Sequence, residues 1–188
     1  MTKISISIPR DRLERMGLSS RDVSAKLKEF LITLSEIIGK MHERANIIYK
    51  LTEKIAEKTR RLYEKEISQV DLLEINEITT DASILIDLIK DAYITPSERN
   101  IISFLETENR ALKRMIKYAS TAETTSLIKS LLRSELISHV TLLINLVYGL
   151  LEEYSTLTQK LKSEVSGLKN LASKLKEIKS SKSLITHI

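Results

Sequence analysis

Lysine and arginine gathered near the two ends are the residues of this chain best suited to act on a partner. Arg10, Arg12, Arg15, Arg21, Lys26 and Lys28 lie near the start, and Lys160, Lys162, Lys169, Lys174, Lys176, Lys179 and Lys182 near the finish. A cation set against phosphate oxygens releases condensed counterions, so contacts of this kind weaken as salt rises. A basic amphipathic helix can equally lie on an anionic membrane, here with Leu184, Ile185 and Ile188 dipping in, or simply present a solvated face. The stretch from Glu64 to Asp91, eight acidic residues against Lys65 and Lys90, is a further candidate mate for the C-terminal cations.

Residues for catalysis are sparse. Cysteine is absent, which excludes disulfides, thiolate metal sites and cysteine nucleophiles. His42 and Glu43 lack the second histidine of a zinc-protease helix, and His187 stands alone near the C-terminus. The four glycines are scattered, so no phosphate-cradling loop is present, and no nucleophilic triad can be assembled. The reading is of a non-enzymatic protein with no cofactor, no metal and no small-molecule substrate.

Charge is unevenly spread over the 188 residues. Residues 1–30 carry seven cations against four anions, 160–188 carry seven against two, and 31–159 carry 16 against 19. Basic ends around a slightly acidic middle suit an anionic partner at the termini, or head-to-tail association of chains. Hydrophobic residues at 42% and charged ones at 29% describe a folded chain. Four Gly and two Pro leave little punctuation, and Leu and Ile fill helical seams, so long helices are expected over sheet. Abundant Ile, Lys and Glu hint at a thermophile. The N-terminus carries no apolar core followed by a small-residue cleavage site, so a cytoplasmic location is expected. Leu136 to Leu151 contains no Lys, Arg, Asp or Glu, but its sixteen residues fall short of the roughly 20 that a bilayer requires. A buried core helix is the expectation there.

Periodicity defines the elements that must position these groups. Ile4, Ile6 and Ile8 alternate with Lys3, Ser5 and Ser7, the pattern of a half-buried strand that must pair with another chain or a partner's sheet edge. Pro9 opens a short helix, Arg10 to Met16, which Gly17 ends. Ser19 or Ser20 caps a long helix to about Glu66, with Leu27, Leu34, Met41, Ile48, Ile55 and Leu62 at intervals of seven. Phe30, Ile37 and Leu51 supply its second seam position, Arg44 and Lys58 interrupt it, and Leu31, Ile38 and Ala45 widen the stripe. A second helix buries Leu72, Ile75, Ile78, Ala82, Leu85, Ile86 and Ile89. Thr95-Pro96-Ser97-Glu98 then forms a capping box for a third helix, which carries Ile101, Leu105, Leu112, Met115, Ile116 and Ala119. Ser120 to Ser126 is a turn. The last helix runs from near Leu127 to about Lys179. Its second half returns to a heptad, Tyr154, Leu161, Leu168 and Leu175 alternating with Leu150, Leu157, Leu171 and Ile178. That seam can meet the first long helix in an antiparallel hairpin, or meet another chain. A helix of the first one's length runs roughly 70 Å, so an elongated molecule is expected.

Residues 12–28, from Arg12 to Lys28, resemble the helix-turn-helix of DNA-binding proteins, with Gly17 at the turn, Leu13 four residues before it, and Val23 and Leu27 at the inward positions of the second helix. The resemblance implies that Ser19, Ser20, Arg21, Ser24 and Lys28 face the major groove. The same region, with its preceding strand, is similar to a ribbon-helix-helix start, which would send Lys3, Ser5 and Ser7 into the groove. Arg133 followed six residues later by His139 resembles the motif of the helical HEPN ribonucleases. It implies phosphate binding by Arg133 and proton transfer by His139.

The fold expected is all-α, an elongated helical bundle or coiled-coil hairpin with a short N-terminal strand. Residues 1–18 form a partner-pairing arm and 19–188 the bundle, with 160–188 a basic helix and tail. Leu27, Leu34, Met41, Ile48, Ile55, Leu62, Leu157, Leu161, Leu168 and Leu175 are its oligomer seam. The function expected is a scaffold that oligomerises and docks macromolecules, contacting nucleic acid through its basic ends. A membrane-surface or membrane-remodelling role and the ribonuclease are the alternatives.

Overall fold

The computed structural model describes residues 20–92, 94–121 and 125–185, with side chains described from residue 25 to residue 174 of these. The strand expected at Ile4 to Ile8, the short helix Arg10 to Met16 and the Gly17 break lie outside the described residues. Among the described residues the protein is an all-α four-helix bundle, 94% helical and without strands. Helix α1 is Ser20–Glu64, followed by a 3-10 turn at Ile67–Gln69; α2 is Leu72–Lys90, α3 is Pro96–Thr121 and α4 is Ser126–Ile185.

The breaks fall where local chemistry stops a helix. Asp71 caps α2, its carboxylate accepting from the Leu73 N–H at 3.0 Å. At α3 the capping box closes in both directions: the Glu98 N–H donates to Thr95 Oγ1 at 3.4 Å, and the Thr95 N–H donates to the Glu98 carboxylate at 2.5 Å. Thr125 Oγ1 accepts from the Ile128 N–H at 3.4 Å at the start of α4.

The chain divides into two compact units. The central unit is His42–Thr156; the terminal unit joins Met1–Met41 to Leu157–Ile188. In the central unit, segments of all four helices enclose one core, in which Ile55, Ile75, Leu85, Leu105, Leu136, Val140, Leu143 and Val147 are shut off from solvent. Fully burying an aliphatic side chain contributes about 1.5–3 kcal/mol, so this core dominates the unit's stability. Helices α2 and α3 approach one another most closely. Asn109 of α3 ties them together, donating from Nδ2 to the Thr79 carbonyl at 3.1 Å and to Ser83 Oγ at 2.6 Å.

The seam of α1 follows the sevenfold repeat expected, but its second position lies one residue later. Leu31, Ile38, Thr52 and Thr59 are buried, whereas Phe30 and Ile37 are exposed. Thr52 and Thr59 look polar in sequence, yet each donates its hydroxyl to the carbonyl four residues earlier, Ile48 and Ile55, both at 2.8 Å. A hydroxyl satisfied within its own helix can be buried without an unpaired donor. Arg44 and Lys58 are not breaks in the seam; they sit beside it and pair with carboxylates of α2 and the residues after it. Helix α3 shows the same one-residue offset, with Ile102 buried and Ile101 exposed.

Helix α4 buries Leu132, Leu136, His139, Val140, Leu143, Val147 and Leu150 in the central unit. Among the described residues it is the one helix long and apolar enough to cross a membrane. Further on, a four-residue step from Tyr154 to Thr158 turns Thr158 and Val165 inward and leaves Leu157 and Leu171 exposed. In the terminal unit α1 and α4 pack together, Leu31, Ile38 and Val165 forming the buried cluster with Leu27, Leu34, Leu161 and Leu168 around it. The seam residues described in this unit are therefore occupied in part within the chain. Leu175 lies in α4, beyond the described side chains.

Candidate nucleic-acid interface

The cations expected to meet a partner fall almost wholly in the terminal unit. Counting its two stretches, 15 Lys and Arg stand against 7 Asp and Glu, a net charge of +8. The central unit holds 15 against 18, a net of −3. Lys26, Lys28 and Lys40 on α1 and Lys160, Lys162, Lys169 and Lys174 on α4 are all exposed. Arg21, Ser20 and Ser24 lie in α1, and Lys176 and Lys179 in α4. Arg10, Arg12, Arg15 and Ser19 lie outside the described residues.

Pairing of the two helices brings the ends of the sequence together. Lys28 of α1 and Lys169 of α4 line one open groove with Leu31, Ile32, Ser35 and Glu36. Lys162 and Lys176 stand one heptad either side of Lys169, and Arg21 one heptad before Lys28. Residues seven apart recur on nearly the same flank about 10.5 Å apart, so exposed Lys162 follows the flank of Lys169. Its one carboxylate is Glu36.

Ion pairing separates the units sharply. Among the described residues all ten ion pairs lie in the central unit. The acidic stretch once available to the C-terminal lysines is answered locally: Arg44 pairs with Asp91, Lys65 with Glu74, and Lys54 and Lys58 with Asp81. Burial works to raise the Asp81 carboxyl, but hydrogen bonds from Lys58 and Lys54 outweigh it and hold the group below its ordinary value. Asp81 raises Lys58 in return.

Arg133 and His139 are given separate work. Arg133 donates to the Lys65 carbonyl at 2.7 Å, closing off the chain just beyond the C-terminus of α1. His139 is buried, neither ring nitrogen has a hydrogen-bond partner among the described residues, and burial pushes it down to about 4. Six residues along a helix turn about 600°, which places the two side chains on different faces. Among the described residues no group of three His, Asp or Glu is placed to hold a metal ion.

A further basic run lies on α3. Arg110, Lys113, Arg114 and Lys117 are exposed on α3 beside Tyr118, and the signal was four cations with no acidic residue between them. Arg110 is already engaged by Glu106. No family model, curated protein or solved structure matches this chain.

Proposed function

We propose that the protein is a non-enzymatic helical scaffold that docks nucleic acid through the basic groove of its terminal unit. One observation carries the reading: a unit of net charge +8 that leaves Lys28, Lys162 and Lys169 exposed and outside every ion pair described. Surface ion pairs are worth only about 0–1 kcal/mol each, so stability alone gives no reason to concentrate unpaired cations here. A polyanion does, because each phosphate neutralised releases counterions. Lysine ammoniums on flexible stems suit sequence-independent phosphate contact better than base reading.

The test is the affinity of the full chain for a mixed-sequence duplex, measured across a salt series. The expected result is a linear fall of log affinity with log salt. Replacing Lys28 and Lys169 by alanine together should weaken binding at low salt and flatten that line by about two phosphate contacts. Affinity indifferent to salt, or to the paired replacement, refutes the reading. Salt-sensitive binding to anionic liposomes without binding to duplex would give the surface to a membrane instead.

A further inference from the structure

The terminal unit has a second flank. Counting 100° per residue from the inward-facing Leu31 and Val165, Lys28, Ile32 and Lys169 lie on one side of the α1–α4 pair. Phe30, Leu34 and Ile37 of α1 fall on the other, with Leu157, Leu161, Leu168 and Leu171 of α4. Leu34, Leu161 and Leu168 are half-buried, whereas Phe30 is 54% exposed, Ile37 46%, Leu157 40% and Leu171 41%. We propose that this flank is a docking surface for a second copy of the chain, the two hairpins closing a four-helix arrangement across a two-fold axis.

Three observations select that occupant. The first is area. Side chains of this size leave roughly 90 Å² each at half exposure, so the four contribute about 350 Å² of apolar surface per copy. A standard interface buries about 800 Å² per partner, close to 60% of it apolar. The strip, with its half-buried neighbours, supplies most of that apolar core.

The second is charge. Glu164 is exposed midway along the strip, three residues after Leu161 and four before Leu168. On a lipid surface that carboxylate would be drawn into the apolar layer, at a cost of several kcal/mol. Lys26 stands four residues before Phe30, Lys40 three after Ile37 and Lys160 three after Leu157, all exposed along the outer edge. A second copy therefore offers rim cations to the first copy's Glu164 and receives the same in return, as an isologous contact requires. The third is placement: with the apolar flanks together, Lys28 and Lys169 of each copy remain on outer sides, so the net positive charge of the two units is not forced into one interface.

This inference stands independently of what the basic groove binds. The test is the mass of the full chain in solution by light scattering over a range of concentrations. Twice the mass of one chain is expected, falling to a single chain in the double variant Phe30→Glu, Leu171→Glu. The variant should keep its helical circular dichroism, because both side chains are already uncovered in one copy. Ile32→Glu, on the opposite flank, should remain dimeric. A second measurement does not depend on the charged variants folding. The chain has no cysteine, so Ile37→Cys and Ile32→Cys each introduce one thiol, and a short bis-maleimide should link Ile37→Cys into dimers at least fivefold more than Ile32→Cys. A single-chain mass at every concentration, a dimer that survives the double variant, or equal linkage from both thiols overturns the proposal. A single chain that binds liposomes through this strip overturns it in favour of lipid.

Discussion

In the central unit the chain's opposite charges meet one another, and segments of four helices enclose one large apolar core. In the terminal unit two helices share one buried cluster, seven lysines face outward, and a row of large apolar side chains stays uncovered. The same 4-3 seam runs down α1 through both. What differs is the number of neighbours available to cover the helix and the fate of its charges. The four-helix enclosure hides a large core beneath surface side chains such as Phe104, Tyr118 and Leu131, whereas the two-helix pair hides one small cluster and leaves two flanks, one basic and one apolar. The difference puts most of the buried apolar core in one region and the positive net charge in the other.

That division is open to attack by measurement. The largest effect expected is at Leu143, fully buried in the central core: Leu143→Ala should cost about 3–5 kcal/mol in denaturant unfolding. Leu31→Ala, in the smaller cluster, should cost about half as much, and equal losses would break the comparison. Next comes His139. Unfolded, its imidazole takes a proton near pH 6.5; folded, only near 4, so the unfolded state gains protons through that window. Stability should fall by about 2–3 kcal/mol as pH drops from 6.5 to 4, and His139→Leu should abolish that part of the slope. Thr95→Ala, which opens one side of the capping box, should cost about 1 kcal/mol. Smallest is Asp81→Asn, which removes the carboxylate shared by Lys54 and Lys58 and should cost about 0.5–1 kcal/mol at neutral pH, less in high salt. A loss as large as that at Leu143 would mean that charge pairing, not packing, holds the central unit together.

The four long helices, the Thr95–Glu98 box and the sevenfold repeat of α1 were legible in the sequence because each rests on a local rule. The phase of the second seam position was not. Phe30 and Leu31, or Ile37 and Ile38, are equally apolar neighbours, and only the partner helix decides which of each pair is covered. Thr52 and Thr59 concealed the answer further, since their buried state depends on hydroxyls turned back along the helix. The basic character of the candidate interface was plain from composition. That Lys28 and Lys169 share a groove was not, because it depends on the antiparallel register of segments at opposite ends of the chain. The HEPN resemblance implied phosphate binding by Arg133, and nothing near it in sequence points to the Lys65 carbonyl to which it donates.

The closure of α1 upon α4 also sets an order of events at the ribosome. Leu31 waits for Val165, more than a hundred residues later, whereas Thr79 and Asn109 meet across a single short connection. Long loops close more slowly than short ones, so the α2–α3 hairpin can form while α4 is still being made. The pairing that brings Lys28 beside Lys169 must wait until α4 is nearly complete, making the groove a feature of the finished chain and not of a nascent one.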